Sequence, residues 1–276
     1  MLKQNLVIRE KFIMKKEYYW WDLNESKFKA ILYDSMNIYF LHDQPYENWD
    51  EFVKIEPHMA YAHLIYVRFH TLEQQFVDLR VIPQMLGVQK IPLKSIVKDI
   101  NRYDWLKSIV DLSLYRFSSI RDIVFHFVNQ VLKLNIPDHI LNIKQLSKMI
   151  KDSHPEIFNI LKILENSGST LRLERNDRAH KGFSNLCTDD DEMFKNMSWS
   201  EQSNSKIVGY DLVAVYEASR DKIYSIFVEE VEKILISCNE LLNKLYPFYR
   251  DEYKNLSENS KTGPSLHFKS YHMNHA

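Results

Sequence analysis

The stretch Trp105-Leu106-Lys107-Ser108-Ile109-Val110-Asp111-Leu112-Ser113-Leu114-Tyr115-Arg116-Phe117-Ser118-Ser119-Ile120-Arg121-Asp122-Ile123-Val124-Phe125-His126-Phe127-Val128-Asn129-Gln130-Val131-Leu132 decides the fold. Leu106, Ile109, Val110, Leu112, Ser113, Phe117, Ile120, Val124, Phe127, Val128, Val131 and Leu132 recur at threes and fours. That is the period of a helix with one buried face. The pattern extends from Leu93 to about Leu134, with a break predicted near Asn101-Arg102-Tyr103-Asp104, and Ile136-Pro137-Asp138 stops it. A helix of this length must face a substantial core. Asp111, Arg116, Arg121 and Asp122 interrupt its apolar character and make it a poor membrane span.

Composition agrees with a helical reading. The chain has 276 residues, long enough for a sizeable core, but only 5 Gly and 8 Pro, so few turns are available. Upstream, the first ninety residues are rich in aromatics, among them Tyr18, Tyr19, Trp20, Trp21, Tyr33, Tyr39, Phe40, Tyr46, Trp49 and Phe52. Such residues can stack on bases, but core burial is the expected role. Glu25 to Leu41 has helical spacing through Phe28, Ile31, Leu32, Ser35, Ile38 and Tyr39. Pro57 suits the first turn of a second helix running to about Leu79, with Ala60, Leu64, Val67, Phe69, Leu72 and Phe76 inward. His58, His63 and His70 on that helix are expected to be core or surface histidines rather than metal ligands. Ile82-Pro83 and Gly87 to Pro92 read as a connector.

Downstream, a short helix is predicted from Ile143 to Lys151 and another from Ser153-His154-Pro155-Glu156, interrupted at Asn166-Ser167-Gly168-Ser169. Thr188 to Ser205 is polar, and its run Asp189-Asp190-Asp191-Glu192 reads as a solvated loop rather than a cation site. Tyr210 to about Tyr246 forms the last long helix, with Glu229, Glu230, Glu232 and Lys233 facing water. The expected architecture is an all-α bundle of long antiparallel helices. Its parts would be an N-terminal helical extension (1–90), the bundle (91–255) and a flexible tail (256–276) that includes His267, His272 and His275.

Charge is nearly balanced, 36 Lys plus Arg against 37 Asp plus Glu, so any attraction for nucleic acid must be local. Cys187 and Cys238 make neither a disulfide framework nor a zinc spacing. Arg9, Glu10 and Lys11 interrupt the N-terminus before a signal-peptide core could form, and a cytoplasmic location is the default expectation.

Chemistry concentrates in Leu171-Arg172-Leu173-Glu174-Arg175-Asn176-Asp177-Arg178-Ala179-His180-Lys181-Gly182. Cleaving RNA without a metal needs a group to move a proton and a cation to stabilise the phosphate. His180 suits the first task and Arg175 the second. A rival spacing, Arg121-Asp122-Ile123-Val124-Phe125-His126, lies in the long apolar helix, where packing is the expected role. A plain structural reading of Arg175 to His180 also stands: a solvated helix terminus with Arg175 paired to Glu174 or Asp177.

The order Arg175-Asn176, three residues, His180, framed by long helices, resembles the signature of the HEPN superfamily over about Leu93 to Tyr253. That resemblance implies an α-helical domain that dimerises so that two motifs face one another and cut RNA without a metal or other cofactor. It further implies toxin or antiviral defence roles, with an antitoxin or regulatory partner, and no membrane. On this analogy Arg175 stabilises the phosphate, His180 is the acid/base residue and Asn176 holds the geometry. Arg172, Arg178 and Lys181 are candidates for flanking phosphates, and Asp122 is a supporting polar residue from the preceding long helix. Family members that partner nucleotidyltransferases often carry a Tyr two residues after the motif His, where this chain has Gly182. A non-catalytic binding or regulatory module, or a helical interaction scaffold, is the alternative class.

Overall fold

Helices follow one another with short connections in a computed structural model that describes residues 23, 26–41, 48–88, 100–169, 187–202 and 210–260. They are α1 (Lys27–Leu41), α2 (Trp49–Ile55), α3 (Pro57–Leu79), α4 (Val81–Leu86), α5 (Arg102–Val131), α6 (Ile143–Ile150), α7 (Pro155–Glu165), α8 (Asp191–Gln202) and α9 (Leu212–Glu258). No strand occurs among the described residues, and the fold is all-α.

Helix α5 starts where the sequence predicted a break, because the Asn101 side chain accepts from Asp104 N at 2.8 Å and caps the first turn. At its other end Asn129 clasps Ile136 through both backbone groups, at 2.8 and 3.1 Å, and folds the chain back before Pro137. Pro155 opens α7 as a first-turn proline.

Helices adjacent in sequence run antiparallel. Tyr61 and Asp78 of α3 meet Val131 and Arg116 of α5 in reverse order. Glu156, at the start of α7, and Gly168, just past its end, meet Lys244 and Glu230 of α9 in reverse order. Consequently α5 and α9, two steps apart, run parallel: Arg102 lies against Tyr216 and Phe117 on Phe227, and Lys133, just past the end of α5, pairs with Glu252.

One continuous core unites these helices. At its centre Phe28 of α1 lies 5.3 Å from Phe127 of α5 and 5.0 Å from Tyr249 of α9, ring centre to ring centre, with Phe69 of α3 at 6.4 Å. Four helices therefore share one aromatic cluster, and removing a buried Phe from such a place typically costs about 3–5 kcal/mol.

Several expectations are corrected. Leu64 and Val67 are exposed (42% and 46%), because the inward stripe of α3 is Ile65, Phe69, Leu72, Phe76 and Leu79. The connector contains α4, whose Ile82, Pro83 and Leu86 are buried. Rather than a loop, Asp191 to Gln202 is helix α8. Helix α9 runs past Tyr246 and through Pro247, since Leu245, Tyr249 and Tyr253 continue its buried stripe. Glu230 does not face water: at 9% exposure it belongs to the stripe of Tyr216, Ile223, Phe227 and Ile234. Residues 261–276, with the three tail histidines, lie outside the described residues.

Candidate functional site

Arg172, Arg175, Asn176, Arg178, His180 and Lys181 all fall within 170–186, outside the described residues. The two points where the chain enters and leaves that segment are well defined, and both lie on the same pair of helices.

At the entry, α7 ends at Glu165 and the chain turns through Asn166, Ser167 and Gly168. Asn166 N donates to Lys162 O and Ile163 O at 3.3 and 3.1 Å, and Ser167 N donates to Leu164 O at 3.2 Å. Gly168 has φ +68°, the left-handed conformation that suits glycine after a helix. Its N–H donates to Oε2 of Glu230 on α9 at 2.8 Å, and a Cβ added there would lie 2.8 Å from Cδ2 of Phe117 on α5.

At the exit, the amides of Cys187 and Thr188 donate to Oδ1 of Asp191 at 3.0 and 2.7 Å. Asp191 is buried and thus works as an internal cap, not as part of a solvated acidic run. Helix α8 is held to the bundle at two points. Phe194 meets Tyr103 edge-on at 5.8 Å, and Glu201 accepts a forked contact from Arg102 at 3.0–3.3 Å. Arg102 also lies 5.2 Å over the Tyr216 ring. One turn along α9, Arg220 donates to Asp221 Oδ1 through Nε and Nη2 at 3.2 and 3.1 Å. Burial raises the Asp221 pKa, outweighing the opposing pull of Arg220.

Asp122 lies on α5, exposed, and accepts from Arg121 Nε at 3.0 Å. Arg121 also reaches Glu165, the last residue of α7, at 3.6 Å, so Asp122 stands beside the end of the helix that leads into the motif. The rival Arg121–His126 spacing is not brought together. Five residues on a helix separate side chains by about 140°. Arg121 turns to Glu165, while His126 Nδ1 sits 3.1 Å from Asp138 Oδ1, and Val124 and Phe125 between them are buried. Both charged groups serve as local ion-pair partners.

Glu230 is the residue that sequence reasoning missed. Its position three residues after Phe227 and four before Ile234 placed it on the inward stripe, but its charge suggested solvent. Among the described residues no group of three or more His, Cys, Asp or Glu could hold a metal ion, and no helix is long and apolar enough to cross a membrane.

Long antiparallel helices, with an Arg-Asn-x3-His segment carried between the end of α7 and the start of α8, define a HEPN-like helical domain. A family model described as HEPN_Cthe2314-like HEPN matches residues 67–239, more than half of the chain, and the protein belongs to the HEPN superfamily. That match begins within α3, inside the aromatic-rich N-terminal stretch. No curated protein and no solved structure matches the chain.

Proposed function

We propose that the protein is a metal-independent endoribonuclease of HEPN type, acting at a composite site formed by two copies of the chain. The observation that carries this reading is the Arg175-Asn176-x3-His180 motif in a chain that belongs to the HEPN superfamily. In the mechanism, His180 moves the proton between the 2′-hydroxyl and the leaving oxygen, Arg175 stabilises the charge on the phosphate, and Asn176 orients the pair. Arg172, Arg178 and Lys181 outnumber Glu174 and Asp177 around them, and apposing two motifs doubles that local excess of cations. Dimerisation therefore supplies the positive field that the balanced chain lacks. The unit carrying the site is the bundle of residues 91–255, with residues 1–90 as an extension and 256–276 as a tail. Asp122 supports the site from α5. RNA is the partner, the setting is cytoplasmic, and the biological role is that of a toxin or defence effector held in check by an antitoxin or regulatory protein.

The test is cleavage of a generic single-stranded RNA in EDTA by wild type, Arg175→Ala and His180→Ala, with the ends of the products analysed. Wild type should cut and leave cyclic-phosphate or 3′-phosphate ends, and each variant should lose at least ~100-fold, as expected when acid/base catalysis of 10²–10⁴ is removed. Equal activity in all three sinks the proposal. Sedimentation at working concentration supplies a second check, since a strictly monomeric protein is incompatible with a composite site.

A further inference from the structure

The end of α7 is closed in an unusual way. In a common helix-terminating motif two amides beyond the cap bond back to carbonyls of the last turn, so the helix end is satisfied by itself. Here the first of these bonds is present, from Ser167 N to Leu164 O. The carbonyl of Ile163, the ordinary acceptor for the second, takes the Ser167 hydroxyl at 3.3 Å. The Gly168 amide instead crosses to Glu230, 62 residues further along the chain.

Placing a carboxylate on the inward stripe of α9 is costly unless it is well partnered. Glu230 receives the Gly168 amide on Oε2 at 2.8 Å and Lys233 Nζ on Oε1 at 3.3 Å. A hydrogen bond to a charged acceptor is about twice as strong as a neutral one. The Gly168 turn is also backed by Phe117, which is 3% exposed and stacked on Phe227. Gly168 is thus fixed on one side by an α5 ring and on the other by an α9 carboxylate. Arg175 follows seven residues later.

We infer that Glu230 is a positioning residue of the ribonuclease site: by holding the Gly168 amide it fixes the point and direction from which the chain departs towards Arg175 and His180. This inference rests on the ribonuclease reading. Its basis is geometric, because a helix end closed on its own carbonyls leaves the departing chain free to swing, whereas a bond to a separate helix does not. Catalytic groups misplaced by about 1 Å lose on the order of 100-fold in rate.

The experiment compares Glu230→Ala, Glu230→Asp and Glu230→Gln with wild type and His180→Ala in steady-state cleavage of single-stranded RNA, well below each melting temperature. Glu230→Ala should lower kcat by about 10- to 100-fold with KM for RNA changed less than about 3-fold. Glu230→Gln keeps an oxygen at the same reach and should stay within about 3-fold of wild type. Glu230→Asp keeps the charge but falls one methylene short, so it should behave like the Ala variant, and it decides the matter should Glu230→Ala fail to fold. Wild-type kcat in Glu230→Ala and Glu230→Asp, with His180→Ala inactive, overturns the positioning role and leaves the ribonuclease reading intact. Losses that merely follow the fraction of unfolded protein, or no rescue by Gln, overturn it as well. Full activity in His180→Ala removes the ribonuclease reading itself.

Discussion

Gly168→Ala tests whether the turn before the motif is fixed from outside. With φ at +68°, the new side chain would occupy the left-handed region, at a cost of about 1–2 kcal/mol. Alanine also restricts the unfolded chain, returning about 0.4–1 kcal/mol. The larger effect is steric. The added Cβ would lie 2.8 Å from Phe117 Cδ2 and 3.6 Å from Leu114 Cδ2. Phe117 cannot swing aside freely, because its ring lies 5.8 Å from that of Phe227 at 19° and is buried. Overpacking of this kind costs about 1–3 kcal/mol. The net loss comes to about 3 kcal/mol, and for a chain of this size that corresponds to roughly 6–12 °C in Tm.

Thermal unfolding followed by circular dichroism reads this directly. A double-mutant cycle with Phe117→Leu then separates backbone from contact. The smaller ring-free side chain should recover part of the loss, giving an interaction energy of about 1 kcal/mol. A fall in Tm below about 2 °C for Gly168→Ala, or strict additivity in the cycle, refutes the packing argument.

Three further outcomes follow from other parts of the molecule. Arg102→Ala should cost about 2–3 kcal/mol in urea unfolding, because it strands Glu201, whose partner Arg102 is only 10% exposed; a change below 0.5 kcal/mol is incompatible with a working clamp. Burial lowers the His63 pKa, so between that depressed value and the ordinary His range the unfolded chain binds more protons and stability rises with pH. This contribution is complete above about pH 6.5 and disappears as pH falls through the folded value, so His63→Gln should flatten the stability profile below neutrality; an unchanged slope refutes it. Burial pushes the Cys238 thiol up to about 12, and Cys187 is 4% exposed, so neither should react with a thiol reagent in the native state while both react in denaturant.

The long helices were legible because their apolar residues repeat over many turns. Pro57 and Pro155 marked two helix starts, since a first-turn proline loses no needed N–H. What failed has identifiable physical causes. On α3, Leu64 and Ile65 offer competing stripes, and only packing against α1 and α5 selects Ile65 with Phe69 and Phe76. The acidic run before α8 was read by charge alone, whereas Asp191 is committed to two amides and a buried position. Glu230 shows the same bias in reverse, because helical spacing placed it correctly and charge argued it away. The motif itself was legible as sequence, and its anchors were half legible: Gly168 marked an interruption, but nothing local indicated that its amide bonds to another helix.

The position of those anchors has a consequence for how the protein responds to mutation. Helix α7 ends abreast of Arg121, while α5 continues back to Arg102, a distance of roughly 28 Å along its axis. The chain enters the motif segment at Phe117 and Glu230, and leaves it at α8, whose tie to the bundle is Arg102 beside Tyr216. Both ties are made to α5 and α9, the two longest parallel helices, whose relative position is set by the shared core. Folding of that core therefore brings the segment's ends to fixed places, and the closure entropy of the segment is spent once, in folding. It follows that substitutions deep in the core, such as Phe28→Ala, should reduce the amount of folded protein with little change in the activity of each folded molecule. Substitutions at the anchors should do the opposite, lowering activity more than stability warrants. A series in which core and anchor variants fall on one line of activity against stability contradicts this division, because it means that the anchors do nothing beyond holding the fold.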